Sequence, residues 1–251
     1  MLNKETVKII ELRRIEEFNF CIDIQKEAWG FESPIDIVPL PIFVLSCEFG
    51  GLVLGAFEDD RMVGFSLAFP LVEDGEVVLH SHMTAVRPQY QGRGIGYRIK
   101  LYQREKARSM GYKKITWTYD PLQARNAYFN INKLGARITK YYSNFYGPIS
   151  SKFNKGIPTH RFLVKWNTEG EENREERRPS VIIFEKGPLE RDFKEEEVVG
   201  LRIPCEIDSL TREEFLLWSS AIDRVFPLLL NKYRIINFKK EGICYYILER
   251  K

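Results

Sequence analysis

The stretch Gln91-Gly92-Arg93-Gly94-Ile95-Gly96 constrains this chain more than any other. It follows an apolar run, Val77 to Val86, that reads as a strand, and precedes a run, Tyr97 to Met110, that reads as a helix. Three glycines in five positions leave the backbone nearly bare of Cβ atoms, so it can turn tightly and approach a ligand closely. The following helix aims its free N–H groups and positive dipole end at that turn. Strand, glycine turn and helix N-terminus together form an anion cradle, to which Arg93 adds positive charge; the usual anion is a phosphate. Two familiar phosphate motifs are absent: the dinucleotide fingerprint needs Gly-x-Gly-x-x-Gly, and the P-loop needs Gly-Lys-Ser/Thr.

Periodicity orders the rest of the chain around this loop. Val7 to Leu12 reads as a first strand. Ile15 to Trp29 reads as an amphipathic helix carried by Ile15, Phe18, Ile22 and Ala28-Trp29, with Gly30 at its end. Pro34 to Pro41 reads as a loop and Ile42 to Phe49 as a short helix. Leu52 to Phe57 and Met62 to Leu71 form a hairpin through Asp59-Asp60, and Gly75 turns the chain into the strand 77–86. Beyond Gly111, Ile115 to Tyr119 reads as a buried strand ending at Asp120-Pro121, and Gln123 to Leu134 as a helix closed by Gly135. Arg137 to Tyr146 reads as extended, and Arg161 to Trp166 as a further strand.

Glu169 to Ser180 is charged without an apolar period and reads as a linker or exposed loop. The remainder reads as strands Val181 to Phe184 and Leu201 to Ile207, a helix Thr211 to Leu230 opened by the capping box Thr211-Arg212-Glu213-Glu214, and a strand pair Tyr233 to Phe238 and Ile243 to Leu248. The expected organisation is a domain over 1–168, a linker over 169–180, and a small αβ extension over 181–251 packed on the first domain.

Composition excludes several classes. With 251 residues, 44% of them hydrophobic, the chain can bury a sizeable core, and its net charge of +3 makes no case for nucleic acid as partner. No run of 18 apolar residues occurs, so no membrane partner is expected, and the N-terminus Met1-Leu2-Asn3-Lys4-Glu5 lacks an apolar export core. Cys21, Cys47, Cys205 and Cys244 are scattered without a Cys-x-x-Cys pair, which argues against a metal site and against a disulfide framework. A cytoplasmic location follows as the expectation.

Gln-x-x-Gly-x-Gly after a strand ending at Val86 resembles motif A of the GNAT superfamily, the Gcn5-related N-acetyltransferases; Gln91, Gly94 and Gly96 match it residue by residue. The element order over roughly 5–167 resembles the GNAT order, and Asn126-Ala127 through Lys133-Leu134-Gly135-Ala136 resembles motif B. The resemblance implies a GNAT-like α/β fold, with a mixed, mostly antiparallel sheet flanked by helices. It implies acyl transfer, acetyl foremost, from acetyl-CoA or another acyl-CoA to the primary amine of a small molecule or peptide, without a metal. By the same resemblance the pyrophosphate of coenzyme A lies on Gln91, Gly92, Arg93, Gly94, Ile95 and Gly96. Ala85 or Val86 would donate a backbone N–H to the thioester carbonyl, from a splayed bulge, and Asn126 would lie beside the pantetheine arm. The stretches 81–83, 92–98 and 115–123 also look like a less studied GNAT branch, some of it linked with N-acylamino acids. That leaves amino-acid N-succinyl transfer as one alternative and a non-catalytic acyl-CoA-binding module as another, with a homodimer left open.

Acyl transfer needs a base for the amine, a donor for the carbonyl and an acid for the leaving thiolate. His80 and His82 lie on the central strand and by alternation share a face with Val78, Thr84 and Val86. His82, nearer the expected thioester, is the candidate base; a hydrogen-bonded core histidine is the competing role. Asp120 either orients the amine or closes an Asx turn before Pro121. The GNAT motif B tyrosine position is held by Ile131 here, and Asn126 lies nine residues before Gly135 where the common spacing is eleven. Tyr128, Tyr141, Tyr142 and Tyr146 are the phenols in reach, and Tyr146 is the candidate acid. Trp29, Phe31, Glu32 and Phe43 are candidates to wall the acceptor site, with Arg125 and Arg161 to hold a carboxylate.

Overall fold

The computed structural model describes residues 7–31, 33–147, 149, 157–170, 176–184 and 196–251. The chain divides into two compact units, and the division falls inside a strand, between Trp117 and Thr118. The described residues up to Trp117, with Asn167–Glu169, make the first unit; the other described residues make the second.

In the first unit, β1 (Lys8–Glu11), β2 (Leu52–Glu58), β3 (Arg61–Glu73) and β4 (Glu76–Val86) pair antiparallel in that order. The start of β5 (Lys114–Tyr119) runs parallel to β4. The β2–β3 turn places Asp59 at φ 51°, and the β3–β4 turn uses Asp74 and Gly75 at φ 51° and 82°, positions that small polar residues and glycine tolerate.

Helix α1 (Ile15–Trp29) packs a different stripe from the one its apolar residues suggest. Phe18, Cys21, Ile24 and Gln25 face inward, while Ile15 is 53% exposed. Both sets obey helical spacing; the buried Gln25 decides between them, because its amide accepts from Val38 N–H (2.8 Å) and donates to Val38 O (3.3 Å). Satisfied in this way, a polar side chain can replace an apolar one in the stripe. Gly30 ends α1 at φ 58° and donates its N–H to Lys26 O. Helix α2 (Leu40–Glu48) begins earlier than the expected Ile42, taking Pro41 into its first turn, where proline's missing N–H costs nothing. Phe18, Cys21, Ile24 and Phe43 pack with Val53, Phe65, Leu67 and Ala85 of the sheet into the core of this unit. Helix α3 (Ile95–Ser109) buries Ile95, Ile99, Lys100, Gln103 and Ala107.

In the second unit, the end of β5 is followed in the sheet order by β7 (Arg161–Asn167) and then β6 (Arg137–Tyr142), the last two antiparallel. Where one helix was expected over 123–134, the chain makes a short α4 (Ala124–Ala127) that widens into a π-helical turn, Tyr128–Lys133. The extended run expected to reach Tyr146 ends at Tyr142, so Tyr146 lies in the turn that follows β6.

A second sheet has the order β10 (Tyr233–Glu241), β11 (Ile243–Arg250), β9 (Val198–Ile203), β8 (Val181–Ile183). The strand expected from Leu201 starts at Val198 instead and stops before Pro204, which lacks the N–H a ladder needs. Helix α5 (Arg212–Lys232) carries the expected box: Glu214 N–H donates to Thr211 Oγ1 (3.2 Å) and Thr211 N–H to Glu214 Oε2 (2.8 Å). Phe215, Trp218, Ile222, Val225, Phe226 and Leu229 are buried, and Phe226 meets Phe162 of β7 at 4.6 Å between ring centroids. Tyr141 of β6 donates to Asp223 Oδ1 at 2.8 Å.

The cysteine expectation needs correction. Cys205 and Cys244 form a disulfide. Register on β9 and β11 sets it, since Cys244 stands opposite Ile203, two residues before Cys205. A separation of 39 residues left no local trace in the sequence. Cys21 is buried and Cys47 half-buried, both as free thiols.

Candidate active site

The glycine loop has the backbone its composition implied. Gly92 and Gly94 sit at φ 80° and 78°, the left-handed region that disfavours any side chain, and Gly94 is the N-cap of α3. A Cβ at Gly92, Gly94 or Gly96 would meet nothing within 4 Å, so internal packing demands none of the three. Gly96 has an ordinary φ. Ile95, between them, is buried and roots the loop in the core. Gln91 Nε2 donates to Val86 O at 3.1 Å and ties the loop to the end of β4. Arg93 is not a free cation: it pairs with Glu58 Oε1 at 2.5 Å and lies over the Tyr90 ring.

Strand β4 departs from regular pairing in two places. Against β3, Ala68 faces Ser81 but Leu67 faces Met83, so His82 is the extra residue of a β-bulge. Ala85 and Val86, where a bulge was expected, pair in regular register with Phe65 and Gly64. The slip also overturns the shared face. Val78 and His80 point to the side of Phe69, whereas Thr84 and Val86, opposite Ser66 and Gly64, point to the side of α3. Against β5, Leu79 pairs with Ile115 and His80 with Thr116. Arg87 N–H donates to Val63 O on β3. Alternation then turns the N–H of Val86 away from β3 and that of Ala85 toward β3.

The two histidines differ. His80 is buried, its Nδ1 lies 3.1 Å from Thr116 Oγ1, and burial pushes its pKa down to about 4. Its ring stays neutral and structural. His82 is half-buried against Phe69, 5.3 Å between centroids, and burial lowers its pKa as well. A lowered histidine pKa means an unprotonated ring at neutral pH, the form that accepts a proton.

In the second unit, Asp120 Oδ1 accepts from Leu122 N–H at 2.9 Å, the Asx turn before a proline-started segment. Burial pushes its carboxyl up, and Arg161 works against that. Asn126 is exposed on α4. The Tyr146 hydroxyl lies 2.9 Å from Thr118 Oγ1, its N–H donates to Thr159 Oγ1 (3.0 Å), and the Arg161 guanidinium covers its ring at 5.3 Å. Thr118 escaped notice in the sequence, although it stands two residues before Asp120 on a strand of alternating threonines. Among the other phenols, Tyr141 is committed to Asp223 and held well above the usual tyrosine range by burial, Tyr142 stacks on Phe145, and Tyr128 is exposed. Ile131 is buried.

The candidates for an acceptor wall separate. Trp29 and Phe31 stack at 5.7 Å, but Phe43 is fully buried in the core and cannot line a site. Glu32 lies outside the described residues. Arg125 is exposed, and Arg161 spends one N–H on His160 O. A cleft of about 840 Å³ in the first unit is lined by Asp23, Glu27, Asp59, Asp60 and Arg61 among others. Lys26 and Arg87 line it too, so its walls carry both signs of charge, and neither His82 nor the loop glycines line it.

The profile of the Acetyltransferase (GNAT) family matches residues 18–132, a span that holds β4, its bulge, the glycine loop and α3. Residues 18–132 thus form a GNAT acetyltransferase region. The match supports a CoA-dependent N-acyltransferase with an acyl-CoA as co-substrate. Solved GNAT structures share the fold at low identity. A putative GNAT acetyltransferase from Desulfovibrio desulfuricans is 16% identical, with a TM-score of 0.53, and covers 65% of this chain and 100% of its own. The ribosomal-protein-S18-alanine N-acetyltransferase from Escherichia coli is 14% identical, with a TM-score of 0.52, over 68% of this chain and 100% of its own. A putative acetyltransferase from Salmonella typhimurium, solved with acetyl-CoA, is 16% identical, with a TM-score of 0.52, over 66% and 96%. About a third of this chain lies outside each likeness. No curated protein sequence matches it. Among the described residues no group of His, Cys, Asp or Glu is arranged to hold a metal, and no single helix is long and apolar enough to cross a membrane.

Proposed function

We propose that this GNAT protein transfers an acetyl group from acetyl-CoA to the primary amine of a small molecule or peptide. The observation that carries the reading is the state of β4 between His80 and Val86. A bulge sets out His82, and the Val86 N–H faces away from β3. The glycine loop begins five residues later and would hold the pyrophosphate through backbone N–H groups at the start of α3.

In the proposed step, an imidazole nitrogen of His82 takes a proton from the acceptor ammonium. The free amine attacks the thioester carbon, and the carbonyl π electrons move to its oxygen, which the Val86 N–H stabilises. Collapse of the intermediate re-forms the carbonyl and breaks the C–S bond; the nitrogen passes its extra proton to solvent as the amide forms, and the released CoA thiolate takes up a proton. The Tyr146 phenol is our candidate for that last proton and Asp120 for orienting the amine; the Asx turn favours a structural part for Asp120. Asn126, exposed on α4, is our candidate contact for the pantetheine arm.

The test is His82→Gln. Turnover should fall by about 10²–10⁴, CoA affinity should persist, and the acidic limb of the pH–rate profile should vanish. A folded variant with full turnover and an unchanged limb would remove His82 from the chemistry.

A further inference from the structure

Lys100 is 3% exposed on the inner face of α3, next to Ile99 and one turn before Gln103. Its Nζ donates to Ser81 Oγ (3.0 Å) and to Gln103 Oε1 (3.0 Å), and lies 3.8 Å above the Trp117 ring. Gln103 Nε2 continues to Ser66 Oγ at 3.2 Å. Among the described residues no carboxylate pairs with this ammonium, and burial pulls its pKa down to about 7. An ammonium buried without a counter-charge lowers stability, and methionine, of similar length, would fill the same space without that cost. A lysine in such a place calls for a reason beyond packing.

The reason lies in what its partners hold. Ser81 is the last residue of β4 before the bulge, and Ser66 is on β3, just beyond the slip, where Leu67 and Ala68 face Met83 and Ser81. The chain Ser81–Lys100–Gln103–Ser66 thus spans from one side of the register slip to the other, anchored on a rigid helix. With the register beyond Met83 kept and the bulge lost, His82 would face Ala68 and Ser81 would face Phe69, which sends Ser81 to the opposite face, breaks this chain and turns His82 into an ordinary ladder residue.

We propose that Lys100 is a positioning residue that fixes the β4 bulge at His82, and so the placement of the His82 ring and the direction of the Val86 N–H. It touches neither substrate nor acyl group. The inference rests on the acyl-transfer reading only for its kinetic consequence.

The experiment compares Lys100→Met and Ser81→Ala with wild type in the full chain. It follows the His82 ring titration by NMR, CoA affinity by calorimetry, and kcat and KM. Freed from its pinned place, the His82 ring should gain solvent, and its titration midpoint should rise by about half a pH unit or more in both variants. Ser81→Ala keeps the lysine charge, so its shift cannot come from charge removal. Turnover should drop about 10–100-fold with CoA affinity unchanged, because a misplacement near 1 Å suffices for such a loss. If Lys100→Met does not fold, Ser81→Ala alone decides. An unmoved His82 titration in Ser81→Ala overturns the proposal. Should wild type itself prove inactive, the NMR shift still tests the clamp, while the acyl-transfer reading falls separately.

Discussion

Gly94→Asp perturbs the loop at its most constrained point. The residue sits at φ 78° as the N-cap of α3, so any side chain adds left-handed strain of about 1–2 kcal/mol, which aspartate eases by local hydrogen bonding. No protein atom lies within 4 Å of the new Cβ, so the fold itself has room for it. The proposed diphosphate does not: the carboxylate would stand at the helix N-terminus where phosphate oxygens belong. Charge-assisted hydrogen bonds contribute about 1.5–3 kcal/mol each. Losing two removes about 3–6 kcal/mol, or about 10²–10⁴ in Kd. Isothermal calorimetry with CoA reads the loss, and circular dichroism confirms the fold. Gly94→Ala serves as the control for strain alone, with the smaller affinity change. A folded Gly94→Asp protein that binds CoA as wild type does would refute the reasoning that places the pyrophosphate here.

Truncation after Ser180, which removes α5 and strips Phe226 from Phe162, should give insoluble or strongly destabilised protein, because six buried side chains at about 1.5–3 kcal/mol each match the whole net stability of a domain; a soluble fragment with an unchanged Tm would show the extension to be independent. Thiol titration of unreduced, denatured protein should count two free cysteines, Cys21 and Cys47, and four after reduction; four without reductant would contradict the Cys205–Cys244 pairing. Lys100, with its folded pKa about 7 against an unfolded value near 10.4, binds fewer protons folded than unfolded across that window, so its burial cost fades as pH rises from about 7 to 10. Wild-type Tm should therefore gain on Lys100→Met over that range, and a pH-independent difference would mean the lysine does not titrate there.

What the sequence made legible depended on whether the signal was local. Gly92 and Gly94 announce a left-handed backbone because few residues but glycine adopt it cheaply, and the capping box at Thr211 is a four-residue pattern that folds as written. The bulge was legible as an expectation but not in place. No glycine marks His82, and the slip is fixed by Ser81, Lys100, Gln103 and Ser66, which meet only in the folded state. Lysine on a helix normally reads as a solvated face, so Lys100 gave no sign of its burial. The α1 stripe was misphased for a related reason: a satisfied glutamine replaced an apolar residue. Cys205 and Cys244 pair through sheet register, and Tyr146 left its strand because the chain turns after Tyr142; neither has a signature in neighbouring residues.

The central claim, acyl transfer to an amine, is tested most directly by incubating the pure protein with acetyl-CoA and a panel of small-molecule and peptide amines. The readouts are thiol release and the product mass together. The account predicts amine-dependent thiol release matched by an acceptor heavier by one acetyl group, both suppressed in His82→Gln. Tight binding of acetyl-CoA with no amine-dependent release across the panel would contradict it and leave a CoA-binding protein without turnover.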